Sequence, residues 1–319
     1  MSVDAIHTPV LKEEVLKYLG PRKEGELFLD ATTGEGSHSL ALLENFPTLK
    51  VICCDADPQI LNVARKRLKP YGDRVIFYNG WTQNFLMEYP SSVKRPDAIL
   101  ADLGVSFFHY EKGGRGFSFR YDEPLDMRID TGSGFTAAEC IARLSENELV
   151  KMFRENAGER YSRRIAKGIV EARARGAVTN SAVLSEIVER SVPSSHVYGH
   201  VHPATKIFMA LRIAVNGELL RLPDLLENAL HVLEPGGRLG VITFNSAEDR
   251  IVKTFFRSKN KDCTCPPEKP ICNCGGSRIV TLLSRKGVVP SEEEIRMNPP
   301  SRSARLRVVE KNLDEAVYE

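Results

Sequence analysis

Little in these 319 residues is extreme, and what is missing narrows the field first. No apolar run approaches the roughly 20 residues a membrane-spanning helix needs. The polar N-terminal stretch has no signal-peptide core. A cytoplasmic chain with reduced cysteines and no membrane partner is therefore expected. Net charge is almost absent, since 44 Lys and Arg stand against 42 Asp and Glu, so any surface for a polyanion has to be local. No internal repeat or low-complexity tract is present, which excludes solenoids. With 42% hydrophobic and 27% charged residues, the chain has enough apolar content for a folded core, and its length suggests about two domains.

The most informative segment runs Leu27-Phe28-Leu29-Asp30-Ala31-Thr32-Thr33-Gly34-Glu35-Gly36-Ser37-His38, followed by Val51-Ile52-Cys53-Cys54-Asp55. A short apolar strand enters a glycine loop, a helix follows, and a second apolar strand ends in a carboxylate. That is the first half of a nucleotide-binding βαβ unit, in which an acid at the tip of the second strand accepts ribose hydroxyls. The loop lacks the third glycine of the dinucleotide fingerprint and has no lysine for a triphosphate. An adenosyl ligand without phosphates, S-adenosylmethionine, fits it better than NAD or ATP. A strand-turn-helix with no ligand is the reading that the loop alone leaves open.

Strands are expected at 26–30, 50–54, 74–78 and 98–102, with helices between them such as the one over 58–68. This alternation predicts an α/β fold with a parallel sheet covered on both faces. A glycine- and aromatic-rich loop (104–130) then leads into 135–192, which has helical periodicity and almost no strand signal. A helix over 219–233 and a strand over 238–244 restore the alternation, with further strands expected at 278–283 and 306–309. The division this implies is 1–110 and 216–319 as two parts of one α/β domain, with 111–215 a mainly helical insert.

Four groups of residues make the reading more specific. They are Asp102-Leu103-Gly104-Val105-Ser106; Arg115-Gly116-Phe117-Ser118-Phe119 with Leu125-Asp126-Met127-Arg128; His202-Pro203-Ala204-Thr205 with Ala210-Leu211-Arg212-Ile213; and Glu248-Asp249-Arg250-Ile251-Val252-Lys253 with Ser301-Arg302-Ser303-Ala304-Arg305-Leu306-Arg307. In this order, from His7 to about Lys311, the chain resembles the bacterial ribosomal RNA small subunit methyltransferase H family. The resemblance implies a Rossmann-like S-adenosylmethionine-dependent methyltransferase sheet with an inserted helical domain, closed by a hairpin that reverses one strand. It also implies methylation of the N4 amine of a cytidine in the decoding region of 16S ribosomal RNA, with the small ribosomal subunit as partner and a homodimer as the assembly. The chain departs from the family pattern at Thr33, Glu35 and Ser37, at Phe107-Phe108-His109, at Met209, and at Phe244-Asn245-Ser246-Ala247.

For that chemistry Asp102 is the expected catalytic residue. It would accept an N–H of the weakly nucleophilic cytosine amine and localise its lone pair; a cap for the next segment is the plainer alternative. Gly36, Ser37 and His38 are expected at the methionine end of the cofactor, Asp55 at the ribose and Trp81 over adenine. His109 is either a cofactor contact or an ordinary loop histidine. Arg128 belongs to the substrate wall, or else to an ion pair with Asp126.

Arg160, Arg163, Arg164 and Lys167 recur at helical spacing, with Tyr161, Ile165, Ile169 and Ala172 opposite. A cationic stripe of this kind suits phosphate contacts; a solvated face partnered by Glu155, Glu159 and Glu171 is the alternative. Arg305 and Arg307 share one face of a strand that either meets RNA or edges the sheet. Cys263, Cys265, Cys272 and Cys274 supply either four thiolates for a structural zinc or a reduced loop, while Cys53, Cys54 and Cys140 are expected in the core. Two other functions compete with the leading one: a methyltransferase with a different RNA acceptor, and a noncatalytic RNA-binding or ribosome-assembly factor that keeps a degenerate pocket.

Overall fold

The computed structural model describes residues 8–111, 113–132, 134–197, 202–262 and 278–312. Among them seven strands form one sheet: β1 (Leu27–Asp30), β2 (Lys50–Asp55), β3 (Val75–Asn79), β4 (Ala98–Asp102), β5 (Arg238–Thr243), β6 (Val280–Leu282) and β7 (Arg305–Lys311). Their order across the sheet is β3-β2-β1-β4-β5-β7-β6. The first five lie parallel, and β7 runs antiparallel to both β5 and β6. This is the expected α/β methyltransferase sheet, with its reversed strand. β1 is buried at all four positions, as a strand covered on both faces must be.

The described residues fall into two compact units, 1–104 with 221–319, and 105–220. In the first, alternate residues of each strand feed opposite cores. Leu27, Leu29, Ile52 and Cys54 pack with Leu86 of α4 (Thr82–Met87), with Leu226 and Leu230 of the helix at Glu218–Val232, and with Val252 and Phe256 of the helix at Ser246–Lys259. Phe28, Val51 and Cys53 pack on the other face with α1 (Lys12–Leu19), α2 (Ser37–Asn45) and α3 (Pro58–Leu68).

The second unit is helical: α5 (Phe107–Glu111), α6 (Ala137–Arg143), α7 (Glu146–Ala157), α8 (Ser162–Arg173), α9 (Ser181–Ser191), α10 (Ser194–Val197) and α11 (Ala204–Asn216). The starts of α6 and α7 are written in the sequence. Thr136 and Glu139, and likewise Ser145 and Glu148, form reciprocal capping boxes.

Several expectations need correction. β3 begins one residue late, after a 3-10 turn at Lys69–Arg74. β7 is longer than expected and lies inside the sheet, between β5 and β6. On it, Arg307 is buried and gives Asp249 two bonds of 2.7 and 3.0 Å, with the Arg305 Nε 3.9 Å from the same carboxylate. These arginines belong to an ion pair within the unit and not to an open edge. Cys53 and Cys54 are buried, but Cys140 is only half-buried. Cys263, Cys265, Cys272 and Cys274 lie outside the described residues.

Candidate active site

Strands β1, β2 and β4 all end on aspartate: Asp30, Asp55 and Asp102. Chain order reverses between β1 and β4, and open parallel sheets hold ligands beyond the carboxyl ends of the strands at such a point. The loop after β1 is folded by its own backbone. Thr33 N donates to Cys54 O at 2.9 Å and Gly36 N to Thr33 O at 2.8 Å. Gly36 has a φ of 80°, and a Cβ there would lie 3.2 Å from Leu68 Cδ1 and 3.3 Å from Ala64 Cβ. Both the conformation and the close approach of α3 therefore require glycine.

Asp55 is oriented by this same loop. Its Oδ2 accepts from Gly34 N at 2.8 Å and its Oδ1 from Asp57 N at 2.9 Å. Two backbone donors thus fix this carboxylate at the tip of β2, the position at which a nucleotide-binding βαβ unit takes ribose hydroxyls. Ser37 and Glu35, two of the departures from the family pattern, are both engaged by Arg67 of α3: Nη1 donates to Ser37 Oγ at 2.8 Å, and Nη2 lies 3.4 Å from Glu35 Oε2. Trp81, just before α4, is half-buried, and the Arg221 guanidinium stands 4.3 Å from its ring centroid, so one ring face is already covered.

At the end of β4, Asp102 N donates to Thr32 Oγ1 at 2.6 Å, tying the loop to the strand. The Asp102 carboxylate is 24% exposed, and its Oδ2 lies 3.4 Å from Nε2 of His38, on α2. That separation suits an ion pair, but the alignment is not that of a hydrogen bond: Asp102 Oδ1 and both imidazole nitrogens are buried without a protein partner. Behind them Asp30 is fully buried and accepts from Ser39 Oγ at 2.6 Å. Burial pushes its carboxyl up to about 6, against the lowering effects of the Ser39 bond and of His38, and the charge of Asp102 adds to the rise. The cluster thus gathers three ionisable side chains, two of which keep buried polar atoms without a protein partner.

The remaining predicted residues lie in the second unit. His109 of α5 is buried, with its ring centroid 5.1 Å from that of Phe117. Arg128 grips Asp126 through two bonds of 2.7 and 2.9 Å. Burial alone would raise the Asp126 carboxyl, but these bonds outweigh it and hold the group below its ordinary value. Between the pair, Met127 has a φ of 57°, and its carbonyl accepts from Asn216 Nδ2 at 2.8 Å.

Arg163, Arg164 and Lys167 are exposed along α8, with Ile165 and Ile169 buried opposite. Arg160 is exposed as well but stands in the turn before the helix, because Gly158 ends α7 in the left-handed conformation and the chain turns before Ser162. Of the acidic residues named as alternative partners of this face, Glu171 reaches Lys167 at 3.7 Å, whereas Glu159 is buried and accepts from Tyr161 N at 2.7 Å.

Over residues 4–312 the chain matches the model of the MraW methylase family. The chain belongs to that family. It is 52% identical over 306 residues to the ribosomal RNA small subunit methyltransferase H of Treponema denticola, which covers 96% of this chain and 97% of the relative. The protein of the same name from Syntrophotalea carbinolica is 45% identical over 305 residues, covering 95% and 97%. Among solved structures, an rRNA methylase from Streptococcus thermophilus aligns over 94% of this chain and 93% of its own, at 13% identity and a TM-score of 0.39. The family assignment rests on the sequence matches.

Three residues of the cluster were not singled out from the sequence. Asp30 carried the same signal as Asp55, an acid closing an apolar strand, one strand earlier. Thr32 and Arg67 gave no signal, since their partners lie 70 and 30 positions away. Asn245, one of the departures from the resembled pattern, caps the helix at Ser246–Lys259: its Oδ1 accepts from Ala247 N and Glu248 N, both at 3.0 Å.

Proposed function

We propose that this methylase transfers a methyl group from S-adenosylmethionine to the N4 amine of a cytidine in the decoding region of 16S ribosomal RNA. The observation that carries the reading is Asp102. Its carboxylate stands at the sheet's switch point, is only partly exposed, and keeps one oxygen without a protein partner, in a chain 52% identical to a ribosomal RNA small subunit methyltransferase H.

The residues fit the cofactor. Asp55 would take the ribose hydroxyls, the Gly34–Gly36 turn and the start of α2 would border the methionine end, and Trp81 would flank adenine. When bound, S-adenosylmethionine supplies an electrophilic methyl group on a sulfonium sulfur. Asp102 would hold the amine in line with that methyl and accept its N–H, and this positioning supplies much of the rate. The target base has to present its Watson–Crick edge, so it comes from an unpaired segment or leaves its stack. The helical unit would recognise the substrate, with Arg160, Arg163, Arg164 and Lys167 contacting phosphates.

Mass spectrometry of 16S ribosomal RNA tests the proposal. A strain lacking the gene should lose one methyl from a decoding-region cytidine, and the wild-type gene, but not Asp102→Ala, should restore it. An unchanged methylation map would reject the acceptor.

A further inference from the structure

Methylating an amine releases a proton, and the destination of that proton is a structural question. As the N–C bond forms, the S–C bond breaks and its electron pair passes to sulfur. One N–H pair stays on nitrogen, and the proton leaves. The positive charge lost by sulfur must therefore reappear on whatever group takes that proton. Asp102 is the first acceptor in the reading above. Alone it would become a neutral acid at the rim of the site, and the proton would have to leave it before another turnover.

His38 is placed to take that proton. The side chain is 8% exposed, and both its nitrogens lack a protein hydrogen bond, a costly state for a buried ring that serves only packing. Nε2 lies 3.4 Å from Asp102 Oδ2 and needs only reorientation, not travel, to bond to it. Two acids interact with the imidazole: Asp102 at the end of β4, which it approaches to 3.4 Å, and Asp30 at the end of β1, close enough for the two charges to interact. A proton passed to this ring would meet two acidic neighbours.

We propose that His38 shares with Asp102 the proton released by the acceptor amine, acting through Asp102 as a positioning residue. The main chain of His38 borders the cofactor loop, and its side chain serves the other reactant. The proposal rests on the methyltransfer reading and adds to it the residue that receives the charge.

The test uses the full-length protein with small ribosomal subunits and S-adenosylmethionine. His38→Gln keeps an amide nitrogen near the Nε2 position but cannot take up a proton. Its single-turnover methylation rate should fall on the order of a hundredfold, while its S-adenosylmethionine dissociation constant, measured by calorimetry, stays within about threefold. His38→Asn serves as the second variant and should behave alike. Separately, at one fixed pH, the His38 imidazole nitrogen resonances should move when Asp102 is replaced by Asn.

A His38→Gln protein with wild-type rate would overturn the proposal, and so would cofactor affinity falling in step with rate. Resonances indifferent to Asp102→Asn would overturn it whatever the enzyme methylates, because that arm needs no acceptor. A wild-type protein inert on ribosomal RNA whose His38 resonances do respond would instead count against the acceptor reading alone.

Discussion

The loop around Asp55 and Asp102 and the cationic face of α8 are built on opposite plans. In the first, each functional group is fixed by a partner distant in sequence: Asp55 by Gly34, Asp102 by Thr32, Ser37 by Arg67. In the second, Arg163, Arg164 and Lys167 extend from an exposed helix surface, and Glu171, the one acid among the described residues paired with them, reaches Lys167 at 3.7 Å between two exposed side chains, which is worth little. A site that must place one methyl group needs rigidity, whereas a surface that follows a polyanion needs charge density and tolerates motion. Damage to the first should therefore be steep and specific, and damage to the second gradual and additive.

Replacing Asp102 with Ala tests the steep side most severely. Single-turnover methylation should fall on the order of 10²- to 10⁴-fold, the usual contribution of a positioned proton acceptor, while cofactor affinity falls much less. Equal losses in both would make Asp102 a cofactor ligand. For Asp55→Ala, calorimetry should show S-adenosylmethionine binding weakened by about 2–4 kcal/mol, since two charge-assisted bonds go with one carboxylate. Intact affinity in a folded variant would remove Asp55 from the site.

Asp30 sharpens the comparison through stability. Its carboxyl rises from 3.8 to about 6 on folding, so the native state binds its proton more tightly than the unfolded chain does. As pH rises from about 4 to about 6, wild-type protein should lose stability relative to Asp30→Asn, by roughly 2–3 kcal/mol in all. Below that window the two should run parallel, and above it the gap should stay constant. Urea unfolding at pH 4 and pH 7.5 measures the difference, and a gap that does not widen would mean the carboxylate is ionised without penalty.

The gradual side has the smallest effect per residue. Changing Arg160, Arg163, Arg164 and Lys167 to Gln should weaken RNA binding and lower the slope of log affinity against log salt by about 0.7 for each phosphate no longer neutralised. Cofactor affinity should not move. An unaltered slope would make the face merely solvated.

What could be read from the sequence follows the same division. Strands β1, β2 and β4 and the glycine loop were legible because local patterning and local chemistry agree there: apolar runs, then a turn, then an acid. The boundary of α8 was not, since Arg160 fits the helical spacing and only the left-handed Gly158 ends the pattern early. Asp30 was hidden by being read as the end of a strand rather than as a titratable group. The Arg307–Asp249 pair spans 58 positions, and no periodicity could have joined them. The role of Asn245 was half visible: its departure from the resembled pattern could be noted, but its use as a helix cap needed the turn it closes.

The placement of β7 governs the order in which this chain can be assembled. β5 bonds to β7 on its outer side, and β6, which precedes β7 in sequence, pairs with β7 alone. While the protein is being synthesised, β5 therefore emerges with one edge unpaired and β6 with no strand to bind. They stay so until residues 305–311 leave the ribosome and fill the gap. Pairings that wait on a late, distant segment slow folding and leave backbone open to other chains. This should make the last strand the step at which refolding is slowest and aggregation most frequent.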